Sequence, residues 1–406
     1  MSVDVQERNR LSAAVVGESA PDYKRKFSLP QYYYTSPELY RKEMEFLRSK
    51  LWLMAAHESQ IPKNGDFKLF EIDGESIILC RDLQGDVHAF YNVCRHRGSP
   101  VCVTNEGNAK AFSCPYHSWT FMLDGTLKRP RAMDASFDPK EWNLKAAHLG
   151  NLDGLLFVCL AKGEAPSFEE FAGRIRPFIS QYGLTKAKPV YVQDDLIVTN
   201  WKLPLENYRE NYHISSVHQD LGRVMGAAMD HSNGESHAER MSRLGRSLPM
   251  VYDEAESLYL QQAIQFAFGK DQVSATQDGS AASSLMPTIT EWSKGWTYIN
   301  FNPLSHINLQ DDYAIMVFFT PVSETVTKTS MVFLVNEDAV EGKDLDVKKL
   351  IDLYVVTMAE DNVVLGRHQK GIESGAYEPA PLALEEDQIV LFHDWYFNRV
   401  HGVPTA

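Results

Sequence analysis

The sequence predicts an α+β protein in which a small antiparallel β domain precedes a larger domain with an antiparallel sheet flanked by helices. Between residues 45 and 165, short apolar segments alternate with turn dipeptides such as Asp73-Gly74 and Asp124-Gly125, a pattern typical of β-hairpins. Beyond residue 165, strand-like segments stand between segments of helical period. This change of pattern indicates two domains, which a chain of 406 residues is long enough to form.

A helix is predicted ahead of the small domain. Ser36 can cap it and Pro37 suits its first turn, and apolar side chains recur at helical spacing between residues 40 and 51. Residues 1–44 are interpreted as an arm and a helix that packs against the larger domain.

The small domain is predicted to span residues 45–165. Its strands are expected at residues 67–72, 76–80, 87–93, 119–123, 126–129 and 154–160.

The larger domain is predicted to span residues 166–406. Helices are expected at 167–183 and 346–372, helix or coil at 201–225, and strands at 189–198, 296–301, 313–320 and 330–336. Residues 269–284 are small and polar, which predicts a loop and a candidate lid.

Composition excludes several classes of function. The formal net charge of −14 argues against a nucleic-acid partner, because phosphate contacts require clustered Lys and Arg. The first residues lack a signal-peptide pattern, and no apolar segment reaches the roughly 18 residues of a membrane helix. A soluble cytoplasmic protein is expected. Five cysteines form an odd set that does not describe a disulfide framework.

Two of those cysteines belong to a four-residue constellation. Cys94 and His96 are one residue apart, Cys114 and His117 are two apart, and seventeen residues separate the pairs. Such a set can hold a structural zinc ion. It can also hold a [2Fe-2S] cluster with two thiolates on one iron and two imidazoles on the other. The second interpretation is favoured because each loop supplies one ligand of each kind.

A second constellation lies in the larger domain. Glu210 and His213 share a helix face, and His218 is close enough in sequence to bind the same ion. Asp361 falls on the inward stripe of the long C-terminal helix, whereas Glu360 is about 100° away and can remain solvated. A buried carboxylate requires a partner or a metal. Two histidines with one carboxylate form the facial triad of non-haem Fe(II) oxygenases. A buried Asp361 paired with Arg or Lys is the alternative.

Both constellations resemble the motifs of Rieske oxygenase α subunits. The segments 94–98 and 114–119 match the Rieske fingerprint, with one departure: Ser118 stands where the family usually has glycine. Residues 200–218, followed by the Glu360-Asp361 pair, resemble the catalytic-domain motif. The resemblance implies an antiparallel β Rieske domain at 45–165 and a catalytic mononuclear iron domain at 166–406. Ser99 and Tyr116 occupy the places of a disulfide found in high-potential Rieske proteins, which implies a low-potential cluster.

The resemblance also implies a mechanism and partners. The expected enzyme is a monooxygenase or dioxygenase that uses O2, a small-molecule substrate and electrons from a separate ferredoxin or flavin reductase. Such enzymes are head-to-tail trimers, in which an acidic residue links a cluster histidine of one subunit to an iron histidine of the next. Glu210 has that position here. A glutamate there resembles the subgroup that oxidises quaternary ammonium compounds.

The substrate remains open at this stage. Aromatic side chains that could line a pocket are Tyr252, Phe266, Phe268, Trp292, Trp296, Tyr298 and Phe301. They could cage an ammonium group, hold a flat aromatic ring or belong to the core. Hydroxylation or N-demethylation of a small quaternary ammonium compound is favoured. Aromatic-ring dioxygenation is the first alternative, and an electron carrier or zinc protein without oxygenase activity is the second.

Basic residues surround the first constellation although the whole chain is acidic. They are Arg95, Arg97, Lys110, Lys128, Arg129 and Arg131. They predict a docking patch for an acidic electron donor, or they are ordinary solvated side chains.

Overall fold

The computed structural model describes residues 25–228, 237–253, 257–269 and 271–402. Most of the predicted arm, residues 1–24, lies outside them. The described chain combines helices with antiparallel sheets, which confirms the predicted fold class. No described helix has the length and apolar character needed to span a bilayer.

Ten strands form three antiparallel sheets in the first half of the chain. They are β1 Leu53–His57, β2 Asp66–Ile72, β3 Glu75–Arg81, β4 Val87–Tyr91, β5 Glu106–Asn108, β6 Phe112–Ser113, β7 Thr120–Phe121, β8 Leu127–Arg129, β9 His148–Leu152 and β10 Leu155–Cys159. Their orders are β4-β3-β2-β5, β1-β10-β9 and β6-β7-β8. The predicted strands lie in these sheets, whereas β1, β5, β6 and β9 were not predicted.

One seven-stranded antiparallel sheet dominates the second half, in the order β11-β17-β16-β15-β14-β13-β12. Its strands are β11 Ala187–Ile197, β12 Val251–Tyr252, β13 Gln262–Ala267, β14 Gly295–Asn302, β15 Ser305–Gln310, β16 Ala314–Ser323 and β17 Val326–Asn336. Because the central strands are buried on both faces, the apolar segments of β16 and β17 are nearly continuous.

Helices cover this sheet and join the two halves. The α-helices are α1 Tyr32–Thr35, α2 Pro37–Lys50, α3 Phe168–Gly173, α4 Arg176–Ile179, α5 Lys202–Asn207, α6 Ile214–Val217, α7 Gln219–Ala228, α8 His237–Arg243, α9 Val347–Ile372 and α10 Asp387–Tyr396, which continues as a π-helical segment to His401. The Ser36 hydroxyl accepts from the Leu39 N–H, as predicted for a cap of α2.

Two helix predictions need correction. The segment 167–183 forms two short α-helices and a 3-10 turn, since Pro177 lacks the N–H that a continuous helix would use. The stripe predicted for α9 runs in steps of three and four residues from Asp361 through Val364 to His368. The buried stripe includes Asp361 but continues through Leu365 and Gln369, while His368 is exposed. The true helical period of 3.6 residues shifts the stripe away from the predicted 3.5-residue repeat.

Candidate metal centres and active-site cavity

Two loops of the small domain have the same backbone hydrogen bonds. In the first, the Gly98 N–H donates to the Cys94 carbonyl at 3.0 Å, and the Cys94 N–H donates to the Ser99 carbonyl at 2.8 Å. In the second, the Ser118 N–H donates to the Cys114 carbonyl at 2.9 Å, and the Cys114 N–H donates to the Trp119 carbonyl at 2.8 Å. The fifth residue of each loop has a left-handed backbone, with φ of 78° at Gly98 and 59° at Ser118. That conformation favours glycine, which explains why the family that the sequence resembles usually has glycine at the position of Ser118.

The loops place two buried thiols beside two more accessible imidazoles. Cys94 and Cys114 are 3% and 2% exposed, and the rings of His96 and His117 meet edge to face with centroids 4.6 Å apart. Trp119 is buried beneath them and stacks on His96 at 4.9 Å. The two histidines therefore form the outer side of the constellation and the two cysteines its inner side.

The donor set at these loops fits an iron–sulfur cluster. His117 Nδ1 is buried and has no hydrogen-bond partner among the described residues, and coordination of a metal would satisfy it. Burial raises the pKa of the Cys94 thiol, and the adjacent Cys114 thiol raises it further. A cation beside Cys94 would stabilise its thiolate.

The second constellation joins the segment after α5 to the middle of α9. His213 Nε2 lies 3.2 Å from His218 Nε2 and 3.5 Å from Asp361 Oδ1. His218 Nε2 is 3.0 Å from the same carboxylate oxygen. One ligand atom from each of these three side chains lies close enough to the other two to share a single metal ion. His218 and Asp361 are 1% and 2% exposed.

Two further carboxylates hold the outer nitrogens of both imidazoles. His213 Nδ1 is 2.5 Å from Glu210 Oε1, and His218 Nδ1 is 2.7 Å from Glu360 Oε2. A carboxylate next to Nδ1 favours the tautomer that carries its proton there. When both imidazoles are neutral, their Nε2 lone pairs and the Asp361 carboxylate therefore point at one another. Three converging lone pairs require a cation, and a 2-His-1-carboxylate set is the set that non-haem Fe(II) uses.

The pKa values of His213 and Asp361 show the same requirement for positive charge. Burial alone would lower the pKa of His213, but the carboxylates of Asp361 and Glu210 raise it to about 9. Burial alone would raise the pKa of Asp361, but the two imidazoles keep it below its ordinary value. The cluster therefore attracts positive charge, as protons or as a metal ion.

Glu360 contacts the second constellation, a contact that the sequence analysis did not predict. Its position off the buried stripe led to the expectation of a solvated side chain, and its side chain is indeed 38% exposed. It nevertheless reaches His218 from the solvent side. The adjacent Glu360-Asp361 pair was the available signal, since neighbouring helix positions can approach one imidazole from two directions.

Motif residues outside the triad hold α5 in place. Lys202 forms a fully buried ion pair with Glu43 of α2 at 2.7 Å. Glu206 accepts from the Tyr34 hydroxyl at 3.0 Å and lies 3.0 Å from His393 Nε2. These bonds connect α5 to the first and last helices, so the residues before His213 begin from a fixed position.

A cavity of about 400 Å3 lies beside His213, His218 and Asp361. Five of the seven predicted aromatic residues line it, namely Tyr252, Phe266, Phe268, Trp296 and Tyr298. Of the other two, Trp292 is not part of the wall, and Phe301 is fully buried in the main core, which was one of the alternatives for these side chains. Phe266 stacks on Trp296 with ring centroids 5.0 Å apart.

The predicted loop at 269–284 contributes to the cavity wall. Residue 270 lies outside the described residues. The Ala275 N–H donates to Gln310 Oε1 at 2.8 Å, and Ser274 Oγ donates to Asp312 Oδ1 at 3.0 Å. Ala275 lines the cavity, so the middle of this loop is anchored to the sheet.

Comparison with known proteins identifies the family. Residues 182–402 match the model of the ring hydroxylating α subunit catalytic domain, and residues 51–146 match the Rieske [2Fe-2S] domain. The glycine betaine monooxygenase oxygenase subunit of Pseudomonas aeruginosa is 32% identical over 383 residues, which cover 92% of this chain and 89% of that protein. The chain belongs to the Rieske oxygenase α subunits.

Other relatives are similar at lower identity or over a smaller part of the chain. The carnitine monooxygenase oxygenase subunit of Acinetobacter pittii is 26% identical over 86% of each chain. The anthranilate 1,2-dioxygenase large subunit of Acinetobacter baylyi is 34% identical over 46% of this chain and 41% of that one. A solved quaternary ammonium Rieske monooxygenase has the same fold, with a TM-score of 0.73 at 20% identity over 93% of this chain and 96% of that chain.

Membership of this family defines the chemistry of the protein. This Rieske oxygenase α subunit is an oxidoreductase with a [2Fe-2S] cluster and a mononuclear iron, and it is the terminal oxygenase of a multicomponent system. It acts on a small molecule and receives electrons from a separate reductase component. The alternatives of a zinc protein and of an electron carrier without oxygenase activity are thereby excluded.

Proposed function

We propose that this Rieske oxygenase hydroxylates an N-methyl carbon of a small quaternary ammonium compound, which then loses that carbon as formaldehyde. Per turnover, O2 takes up two electrons and two protons; one oxygen atom enters the C–H bond and the other leaves as water. The observation that supports this proposal most is the stacked pair of Phe266 and Trp296 in the wall beside the triad. Aromatic faces bind quaternary ammonium groups through cation–π attraction.

The ligand assignments are part of the proposal. Cys94, His96, Cys114 and His117 would hold the [2Fe-2S] cluster, which supplies stored electrons, and His213, His218 and Asp361 would hold the iron that binds O2. The unpartnered His117 Nδ1 and the three converging lone pairs support these assignments.

The chain's own residues would then prepare the site. Glu210 and Glu360 hold the protons of His213 and His218 on Nδ1, so that both Nε2 atoms face the triad. The apolar cavity wall excludes water from the reacting carbon.

Electron transfer is proposed to cross between subunits of a head-to-tail trimer. Among the described residues, no hydrogen bond or ring contact connects the loops 94–99 and 114–119 to the triad, while His96 is exposed at the surface of its domain. Glu210, already bound to His213, would receive the cluster histidine of a neighbouring subunit.

This electron path can be tested at Glu210. With Fe(II) supplied to full occupancy, Glu210→Ala should retain both metal centres but slow substrate-dependent oxidation of the reduced cluster by about 100-fold or more in a single turnover. A Glu210→Ala enzyme whose cluster is oxidised at the wild-type rate would remove Glu210 from the path. Molar mass in solution tests the trimer separately.

The substrate proposal is tested with the holoenzyme and a reductase. O2 uptake and formaldehyde release are measured with glycine betaine and carnitine, and O2 uptake and diol formation with anthranilate and benzoate. Formaldehyde produced in proportion to O2 consumed supports the proposal. Diol formation without formaldehyde would instead establish the aromatic-ring dioxygenase, which the similarity to anthranilate 1,2-dioxygenase makes the second candidate.

A further inference from the structure

The active-site cavity contains a buried cation that the iron chemistry does not use. Arg209 lines the cavity, yet the residue is only 7% exposed. Its Nε and Nη2 atoms are buried, and no residue in the described part of the chain forms a hydrogen bond with them. No carboxylate among the described residues forms an ion pair with it: the adjacent Glu210 is bound to the side chain and backbone of His213.

The surroundings of Arg209 leave its charge uncompensated. Burial lowers the pKa of Arg209 to about 10, so the guanidinium is still charged at neutral pH. The neighbouring groups are neutral there, because burial raises the pKa of Tyr298 to about 12 and lowers that of His306 to about 3. An isolated buried charge is costly to the fold. A charge kept at that cost in a substrate cavity requires an anion as its partner.

The residues that line the cavity change from aromatic to polar along the paired strands β13 and β14. At one end, Phe266 of β13 pairs with Trp296 of β14. Tyr298 lies two residues further along β14, about 7 Å from Trp296, and pairs with Ile264. Asn300, two residues further still, pairs with Gln262. Arg209 interacts electrostatically with Tyr298 and with His306, which pairs with Asn300 across β14 and β15. The aromatic end and the cationic end of the cavity are therefore separated.

We infer that Arg209 binds a carboxylate of the substrate, so that the enzyme takes zwitterions whose ammonium group lies on the aromatic end. This inference rests on the proposed function for the ammonium end but stands on Arg209 alone for the carboxylate end. A guanidinium presents paired N–H donors that match the two oxygens of a carboxylate. Binding would pair both charges and replace the water that the carboxylate loses.

The test measures equilibrium binding to the holoenzyme by calorimetry, with ligand pairs that differ in the carboxylate. The pairs are glycine betaine with choline, carnitine with its methyl ester, and benzoate with benzyl alcohol. Wild type should prefer each carboxylate partner that it binds. Arg209→Gln should weaken carboxylate binding by about 10- to 100-fold, the range of a charge-assisted contact, and should change binding of the partners that lack a carboxylate less than about threefold. Arg209→Lys, which retains the charge, should preserve part of the preference.

Each outcome separates the two ideas. Equal binding of glycine betaine and choline, unchanged in Arg209→Gln, would overturn the role of Arg209 and leave the ammonium substrate intact. An Arg209-dependent preference for benzoate without binding of any ammonium compound would support Arg209 and overturn the proposed function. Ligand-free melting temperature gives an independent readout. Arg209→Gln should melt no lower than wild type, because it removes an uncompensated charge; a marked loss of stability would identify Arg209 as structural.

Discussion

The carboxylate of Glu360 offers a quantitative test of how the iron site is built. It accepts the Nδ1 proton of His218 at 2.7 Å and fixes the orientation of that imidazole. Loss of such an outer contact typically weakens metal binding by 10- to 100-fold, or about 1.4 to 2.7 kcal/mol. Because the Glu360 side chain is 38% exposed, water can take its place in part. Glu360→Ala should therefore weaken Fe(II) binding by about tenfold, at the lower end of that range.

A second substitution at Glu360 separates the effect of the hydrogen bond from the effect of the charge. Glu360→Gln keeps an oxygen that can accept from Nδ1 and loses only the negative charge, so its effect should be smaller, about threefold. Mononuclear iron is measured by Fe(II) titration of chelator-treated protein, while visible absorption reports the Rieske cluster independently. Asp352→Asn, which removes the surface partner of Lys348 on the same helix, is the matched control and should bind Fe(II) as wild type does. Wild-type affinity in Glu360→Ala would refute the reasoning.

Three further results are expected. Asp361→Ala should lower iron content from about three to about two atoms per chain while the Rieske absorption is retained; loss of the cluster absorption as well would contradict separate centres. Ser118→Gly should stabilise the protein by about 0.5–1 kcal/mol in denaturant titrations, since φ at Ser118 is 59°. The reverse change Gly98→Ser, where an added side chain meets nothing within 4 Å, should destabilise by a similar amount, and equal stability in both variants would exclude backbone strain. Reduction of the cluster by its reductase should slow about tenfold between low and high salt, because the six basic residues around it form no ion pair with a described carboxylate; a flat response would discard the docking patch.

The sequence predicted those parts of the fold where one physical signal dominates. The α2 helix carries its own cap and apolar stripe, and β16 and β17 are continuous apolar segments. The sequence analysis missed β15, as it missed β12 and β13. Polar and apolar residues alternate in β15 from His306 to Gln310, but the polar residues His306 and Asn308 line the cavity instead of facing solvent. Polar side chains that face a substrate cavity lower the mean hydropathy of a strand. A prediction from hydrophobicity alone can therefore mistake such a strand for a loop.

The same distinction applies to the site. Spacing within a short segment was enough to select Cys94, His96 and His213 as candidates, and their roles as ligands remain predictions. The contact between Glu360 and His218 could not be predicted from helix phase, because it depends on how far a partly exposed side chain reaches across 142 positions of sequence. Arg209 was also missed. Nothing in a sequence distinguishes a solvated arginine from one that the fold encloses without a partner.

The paired loops at Cys94 and Cys114 have a consequence for biogenesis. Main-chain bonds close each loop without any contribution from the sulfur or imidazole groups, so the receptacle for an inorganic centre is complete once the polypeptide has folded. A maturation factor would thus deliver its cargo to a finished acceptor. These main-chain bonds would also keep the side chains of both loops nearly stationary as an electron arrives and leaves, which would lower the reorganisation energy of each electron transfer.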